Sequence, residues 1–143
     1  MSDADDSDDI EKIRERKLEE LRTQIEGDGH ATDMTVPDEP ISVDDADHFS
    51  RVLEEHSLVL VDFYADWCGP CQMLAPILEG LAGDIPAAIA KVDTEALPTL
   101  AQQYGVRGLP TLVLVEDGEP AEQLVGMQEE SRLRQVIERH ASA

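Results

Sequence analysis

The sequence predicts an α/β fold in which a mixed central β-sheet carries helices on both faces. Three observations lead there. From residue 41 onward, short apolar runs alternate with amphipathic segments in the order β-α-β-α-β-α-β-β-α. LVLVDFYA (58–65) is apolar on both of its faces, as a central buried strand must be. Asp117-Gly118 sits between two strand-like runs and marks a tight hairpin, which adds antiparallel pairing to a parallel sheet.

The elements follow in order. Residues 1–8 are small, acidic and without apolar anchors, so they are expected to be disordered. Between Asp9 and Glu26, Ile10, Ile13, Leu18, Leu21 and Ile25 form one narrow stripe at helical period, and Asp8 and Glu11 stand at capping-box spacing. This helix either remains solvated or serves as a dimer or partner-binding surface. Residues 27–40 read as a linker from their Gly, Pro and polar content. Ile41–Val43 is a short strand and Asp44–Glu55 a helix led by acidic residues. After the 58–65 strand come a helix over Cys68–Ala82, a strand over Ala87–Val92, and a helix over Ala96–Tyr104 closed by Gly105. Thr111–Val115 and Ala121–Val125 pair across the hairpin, and Glu129–His140 is an amphipathic helix with Leu133, Val136 and Ile137 inward. The chain thus divides into an acidic extension, 1–40, and one domain, 41–143.

Composition narrows the function classes. The net charge is -21 over 143 residues, and acids outnumber bases both before and after residue 40. Such a surface repels nucleic acid and anionic membrane, so neither is an expected partner. The dispersed acids favour adaptation to high salt, where a Debye length of roughly 3 Å at 1 M screens self-repulsion, over a clustered acidic interaction patch. No stretch approaches the length of a membrane helix, and the acidic start is unlike a signal peptide, so a cytoplasmic location is expected.

Both cysteines fall in WCGPC, as Cys68 and Cys71. A structural staple is a weak reading, because so short a loop removes only about 2 kcal/mol of unfolded-state entropy. A metal site is weak as well: zinc needs four ligands, and His30, His48, His56 and His140 lie singly, so no metal is expected. Thiol–disulfide exchange fits better. Cys68 falls where a buried strand turns into a helix, and the helix N-terminus favours a thiolate there. Cys71, one turn further in and expected to be less exposed than Cys68, suits the attack that resolves a mixed disulfide. Pro70 occupies the first helical turn, where its missing N–H costs nothing. Asp62, alone on a buried strand, should have a raised pKa and can take a proton from Cys71.

VDFYADWCGPC resembles the active site of the thioredoxin family, and the resemblance extends over about residues 41–141. Pro76 matches the family's helix-kinking proline, Lys91 the lysine near the buried aspartate, VRGLPT (106–111) the cis-proline segment, and Gly118 and Gly126 two hairpin-region glycines. The resemblance implies the thioredoxin fold and a cis Pro110. It also implies a docking surface of Trp67, Gly69, Pro70, Leu109, Pro110 and Gly126 around Cys68, with the Leu109 backbone pairing with an extended substrate segment. It further implies a catalytic set of Cys68, Cys71, Asp62 and Lys91, with Pro76 and Gly118 structural. Tyr64 and Gln72 depart from the tryptophan and lysine that many relatives carry.

The expected activity is reduction of protein disulfides by way of a mixed disulfide. The Cys68–Cys71 pair is the redox group, with no cofactor, and thioredoxin reductase is the electron donor. An oxidant or isomerase of the same fold, or a docking module using helix 9–26, remain alternatives. The chain is expected to be a monomer, with dimerisation through helix 9–26 as the other arrangement. The salt reading makes the first prediction: thermal stability should rise steeply with added KCl, and a flat melting temperature between low and molar KCl would count against it.

Overall fold

The parallel order of three strands depends on crossover helices that lie on both faces of the sheet. The structure, a computed structural model, describes residues 35–141. The expected disordered stretch 1–8, the helix 9–26 and the linker as far as residue 34 lie outside the described residues.

Five strands, β1 (Ile41–Ser42), β2 (Leu58–Tyr64), β3 (Ala88–Asp93), β4 (Thr111–Glu116) and β5 (Glu119–Val125), form one sheet in the order β1-β3-β2-β4-β5. β1, β3 and β2 are mutually parallel where they pair, whereas β4 runs antiparallel to both β2 and β5. Among the described residues four helices, α1 (Ala46–Glu55), α2 (Gly69–Leu81), α3 (Pro98–Gln103) and α4 (Glu130–Ala141), complete the order expected from residue 41 onward.

Side-chain alternation along β2 divides the core. Val59, Val61 and Phe63 point to the face covered by α1 and α3, where Phe49, Val52, Leu100 and Ala101 pack. Leu58 and Leu60 point to the other face, packed by Leu74, Leu78 and Leu81 of α2 and by Leu133, Val136 and Ile137 of α4. Both faces of β2 are therefore dry, which is why its sequence is a continuous apolar run.

Element edges differ from the sequence expectation where backbone chemistry overrides apolar pattern. α3 begins at Pro98 rather than Ala96, because a proline at the first turn keeps the residue before it, Leu97, out of helical geometry. β5 begins at Glu119, directly after a two-residue turn with Asp117 at φ 51° and Gly118 at φ 82°. It includes Pro120, tolerated because β5 is the sheet edge and a register shift lies opposite Leu114 and Val115.

Two contacts fix the periphery. His140, which sequence spacing left isolated, has Nδ1 3.1 Å from Glu116 on β4 and Nε2 2.8 Å from Glu122 on β5, so it ties α4 to the hairpin. Those two hydrogen bonds, to Glu122 first and Glu116 second, hold its imidazole above the ordinary value. At the opposite end of α2, Gly83 adopts φ 85° and the backbone of Asp38 lies against it. A Cβ at Gly83 would stand 3.0 Å from Asp38 Cα. Gly83→Ala should therefore destabilise the fold by about 1–3 kcal/mol in urea unfolding, from the left-handed backbone and the clash together. Gly80→Ala, in open space within α2, should be neutral or stabilising. Equal behaviour of the two variants would refute the Asp38 contact.

Candidate active site

The junction between β2 and α2 sets the site. β2 ends at Tyr64, Ala65 is buried, and the Cys68 amide donates to the Ala65 carbonyl at 3.1 Å. Cys68 is the extended N-cap of α2, and its Sγ accepts from the Cys71 backbone N–H at 3.2 Å. Sulfur thus takes the capping role usually given to a side-chain oxygen. Pro70 stands in the first turn. Cys68 and Cys71 form a disulfide with Cα atoms 5.3 Å apart. The two residues are equally buried, 4% exposed each. The contrast in exposure expected from the sequence is thus absent in the oxidised state; what separates them is the groove, which Cys68 lines and Cys71 does not.

Asp62 shares its strand parity with Leu58 and Leu60, so it faces α2, the helix that carries Cys71. It is fully buried, and neither carboxylate oxygen has a hydrogen-bond partner among the described residues. Burial raises its pKa to about 6, against a smaller lowering by Lys91. Lys91 is the β3 residue paired with Asp62 in register, and its Nζ sits 4.7 Å from the centroid of the Tyr64 ring. The ammonium thus engages the ring by a cation–π contact and acts on Asp62 through its charge, with no direct ion pair between the two among the described residues.

A surface groove opens beside Cys68, lined also by Trp67, Gly69, Pro70, Arg107 and Leu109. Trp67 is 69% exposed, and its indole N–H donates to Glu95. The Leu109–Pro110 peptide is cis, and Leu109 packs against the cysteine pair. The Pro110 carbonyl accepts from Gly126, itself at φ 90°, at 2.7 Å. The Thr111 hydroxyl donates to the Gly108 carbonyl at 2.6 Å and pins the loop that leads into Pro110.

Of the residues singled out in the sequence, Trp67, Cys68, Gly69, Pro70 and Leu109 share the groove, Asp62 and Lys91 pair across β2 and β3, and Pro110 and Gly126 meet through the backbone. Pro76 lies inside α2 and Gly118 in the hairpin turn, both outside the groove. Sequence reasoning missed Glu95 and Arg107. Arg107 stood inside the quoted VRGLPT segment, where a cation beside the cis-proline was the available signal; Glu95 had none, since its tie to Trp67 spans 28 residues. Gln72 directs its amide to the Asp66 carbonyl at 2.7 Å, so it tightens the turn before Cys68. A dithiol at a helix N-terminus, next to an open groove and over an unpartnered carboxyl, is suited to thiol–disulfide exchange.

Comparison with known proteins agrees with this geometry. The family model described as Thioredoxin matches residues 39–139. A thioredoxin of Staphylococcus epidermidis is 44% identical over 102 residues, which span 70% of this chain and 96% of that protein. A thioredoxin of Chlamydia muridarum is 49% identical over 84 residues, 58% of this chain and 82% of the relative. Among solved structures, a mutant thioredoxin from Halobacterium salinarum superposes with a TM-score of 0.71 at 50% identity, covering 74% of this chain and 94% of that one.

The buried carboxyl has a pH consequence. Folded Asp62 keeps its proton up to about pH 6, whereas an unfolded aspartate loses it near 3.8. Between those values the unfolded state binds fewer protons, so stability falls as pH rises through the window and stays reduced above it. Asp62→Asn should therefore stabilise the protein at pH 8 by up to about 3 kcal/mol and by little at pH 3.5. Urea unfolding at both pH values measures this, and an equal gain at both would show that charge burial is not the cause.

Proposed function

This chain belongs to the thioredoxin family and is a thiol–disulfide oxidoreductase, and we propose the following division of labour among its residues. Cys68 is the nucleophile. As a thiolate it attacks one sulfur of a substrate disulfide, forms a mixed disulfide and expels the substrate's other sulfur as a thiolate. Cys71 then gives its proton to the Asp62 carboxylate and attacks Cys68 Sγ. The Cys68–Cys71 disulfide forms, the second substrate sulfur leaves, and two electrons have passed to the substrate. The observation that carries this reading is the position of Cys68 as N-cap of α2 on the groove, with Cys71 one turn inside it.

Helix-terminal amide groups stabilise the Cys68 thiolate. A pKa of about 6 leaves Asp62 mostly ionised at pH 7, ready to accept a proton yet able to release it afterwards. Lys91 keeps that pKa from rising further. Trp67, Gly69, Pro70 and Leu109 make the docking surface, with Pro110 and Gly126 supporting its far side. The Leu109 backbone pairs with an extended substrate segment. Pro76 and Gly118 serve the fold.

The reaction needs no cofactor beyond the cysteine pair, and thioredoxin reductase returns it to the dithiol. A reducing, cytoplasmic setting fits a chain whose two cysteines are both committed to this pair. Two measurements test the reading. Cys71→Ser should trap substrates as mixed disulfides on Cys68, whereas Cys68→Ser should trap none. The equilibrium potential of the pair, read by Trp67 fluorescence in graded thiol buffers, should lie near about -270 mV, the value typical of thioredoxin. A potential above about -180 mV would assign the protein to disulfide oxidants or isomerases instead.

A further inference from the structure

We propose that Arg107 determines substrate specificity by pairing with a carboxylate side chain that flanks the disulfide cysteine of the segment held in the groove. The inference rests on the reading of that groove as the substrate site and names the chemistry it selects.

Arg107 lines the groove together with Cys68, and among the described residues it is the only cationic side chain that does so. It is exposed, and no ion pair or hydrogen bond engages it among the described residues. The exposed Arg51 also has no ion pair among the described residues, so Arg107 is set apart by its place on the groove beside Cys68. Arg134, by contrast, is held by Glu130 at 3.0 Å and Asp84 at 3.6 Å, and Arg139 lies 3.9 Å from Glu122.

The acid nearest in function is also occupied. Glu95 accepts from the Trp67 indole at the groove, so its carboxylate is directed to Trp67. The backbone that carries Arg107 is fixed, because the adjoining Gly108 carbonyl takes the Thr111 hydroxyl and Leu109 packs on the cysteine pair. With Gln72 uncharged and turned to the Asp66 carbonyl, no second cation at the start of α2 competes for an anionic group.

A guanidinium presents planar, paired N–H donors that match a carboxylate, so recognition depends on local geometry as well as charge. This matters because the -21 net charge repels every acidic substrate at long range. Screening by salt removes the long-range repulsion more completely than a contact pair, which leaves Arg107 as the discriminating charge.

The test uses the pre-reduced full-length chain and disulfide-linked peptide dimers that are alike except for Glu, Gln or Lys at one or two positions from the cysteine. Single-turnover reduction, followed by Trp67 fluorescence, gives a second-order rate constant for each. The wild type should favour Glu over Gln by about two- to fivefold at one or more positions, the range of a solvent-exposed ion pair. Arg107→Gln should erase the preference, and Arg107→Glu should invert it toward Lys. Arg51→Gln removes the same charge from α1, outside the groove, and should retain the preference. Equal rates for all wild-type peptides, or a preference that survives Arg107→Gln, would overturn the assignment while leaving the disulfide reductase reading intact. Failure to reduce any of the peptides would overturn both.

Discussion

Everything at the site depends on the burial of β2 on both faces. A strand covered on one side can turn a polar residue to water; β2 cannot. Strict alternation then sends Asp62 to the α2 face with Leu58 and Leu60, where it has no hydrogen-bond partner among the described residues. The carboxyl responds to the dry environment by holding its proton more tightly, with Lys91 limiting the effect. The same strand delivers Cys68 at its end, because the turn after Tyr64 and Ala65 leads directly into α2. The buried carboxyl and Cys68 are thereby both placed by one element, Asp62 within the strand and Cys68 just beyond its end.

The electrostatic design works at two ranges. Over the surface, excess acid gives a field that disfavours other anions. Within the groove the pattern is different: sulfur at a helix N-terminus, one unpaired guanidinium, and a carboxylate bound to indole. Contacts at that range survive screening better than the diffuse field does. The acidic surface and the redox site can therefore coexist, because the charges that govern them act over different distances.

The far end of α2 has a separate task. Asp38 packs on Gly83, which follows the helix, whereas Cys68 caps the helix start. Thirteen residues of helix separate the two ends, roughly 20 Å. Asp38 therefore lies at the end of α2 away from Cys68. His140 performs a comparable tie at another edge, joining α4 to both strands of the hairpin with two carboxylates and a single imidazole.

The local elements were largely legible because they rest on neighbouring residues. The dry strand 58–65, the cysteine pair at a helix start, the Asp-Gly turn and the inward face of α4 can each be read from spacing alone. Resemblance to a known family supplied what spacing could not, including the cis peptide before Pro110. Only tertiary structure decided which distant groups meet. The pairing of Trp67 with Glu95, His140 with Glu116 and Glu122, and Gly83 with Asp38 brings together residues 18 to 45 positions apart, and no periodicity encodes such contacts. The absence of a partner for Arg107 is likewise a property of the assembled surface. Sequence determined the secondary structure and its chemistry because these arise from local sterics and patterning; the packed fold decided which charges are satisfied, because that depends on which surfaces approach.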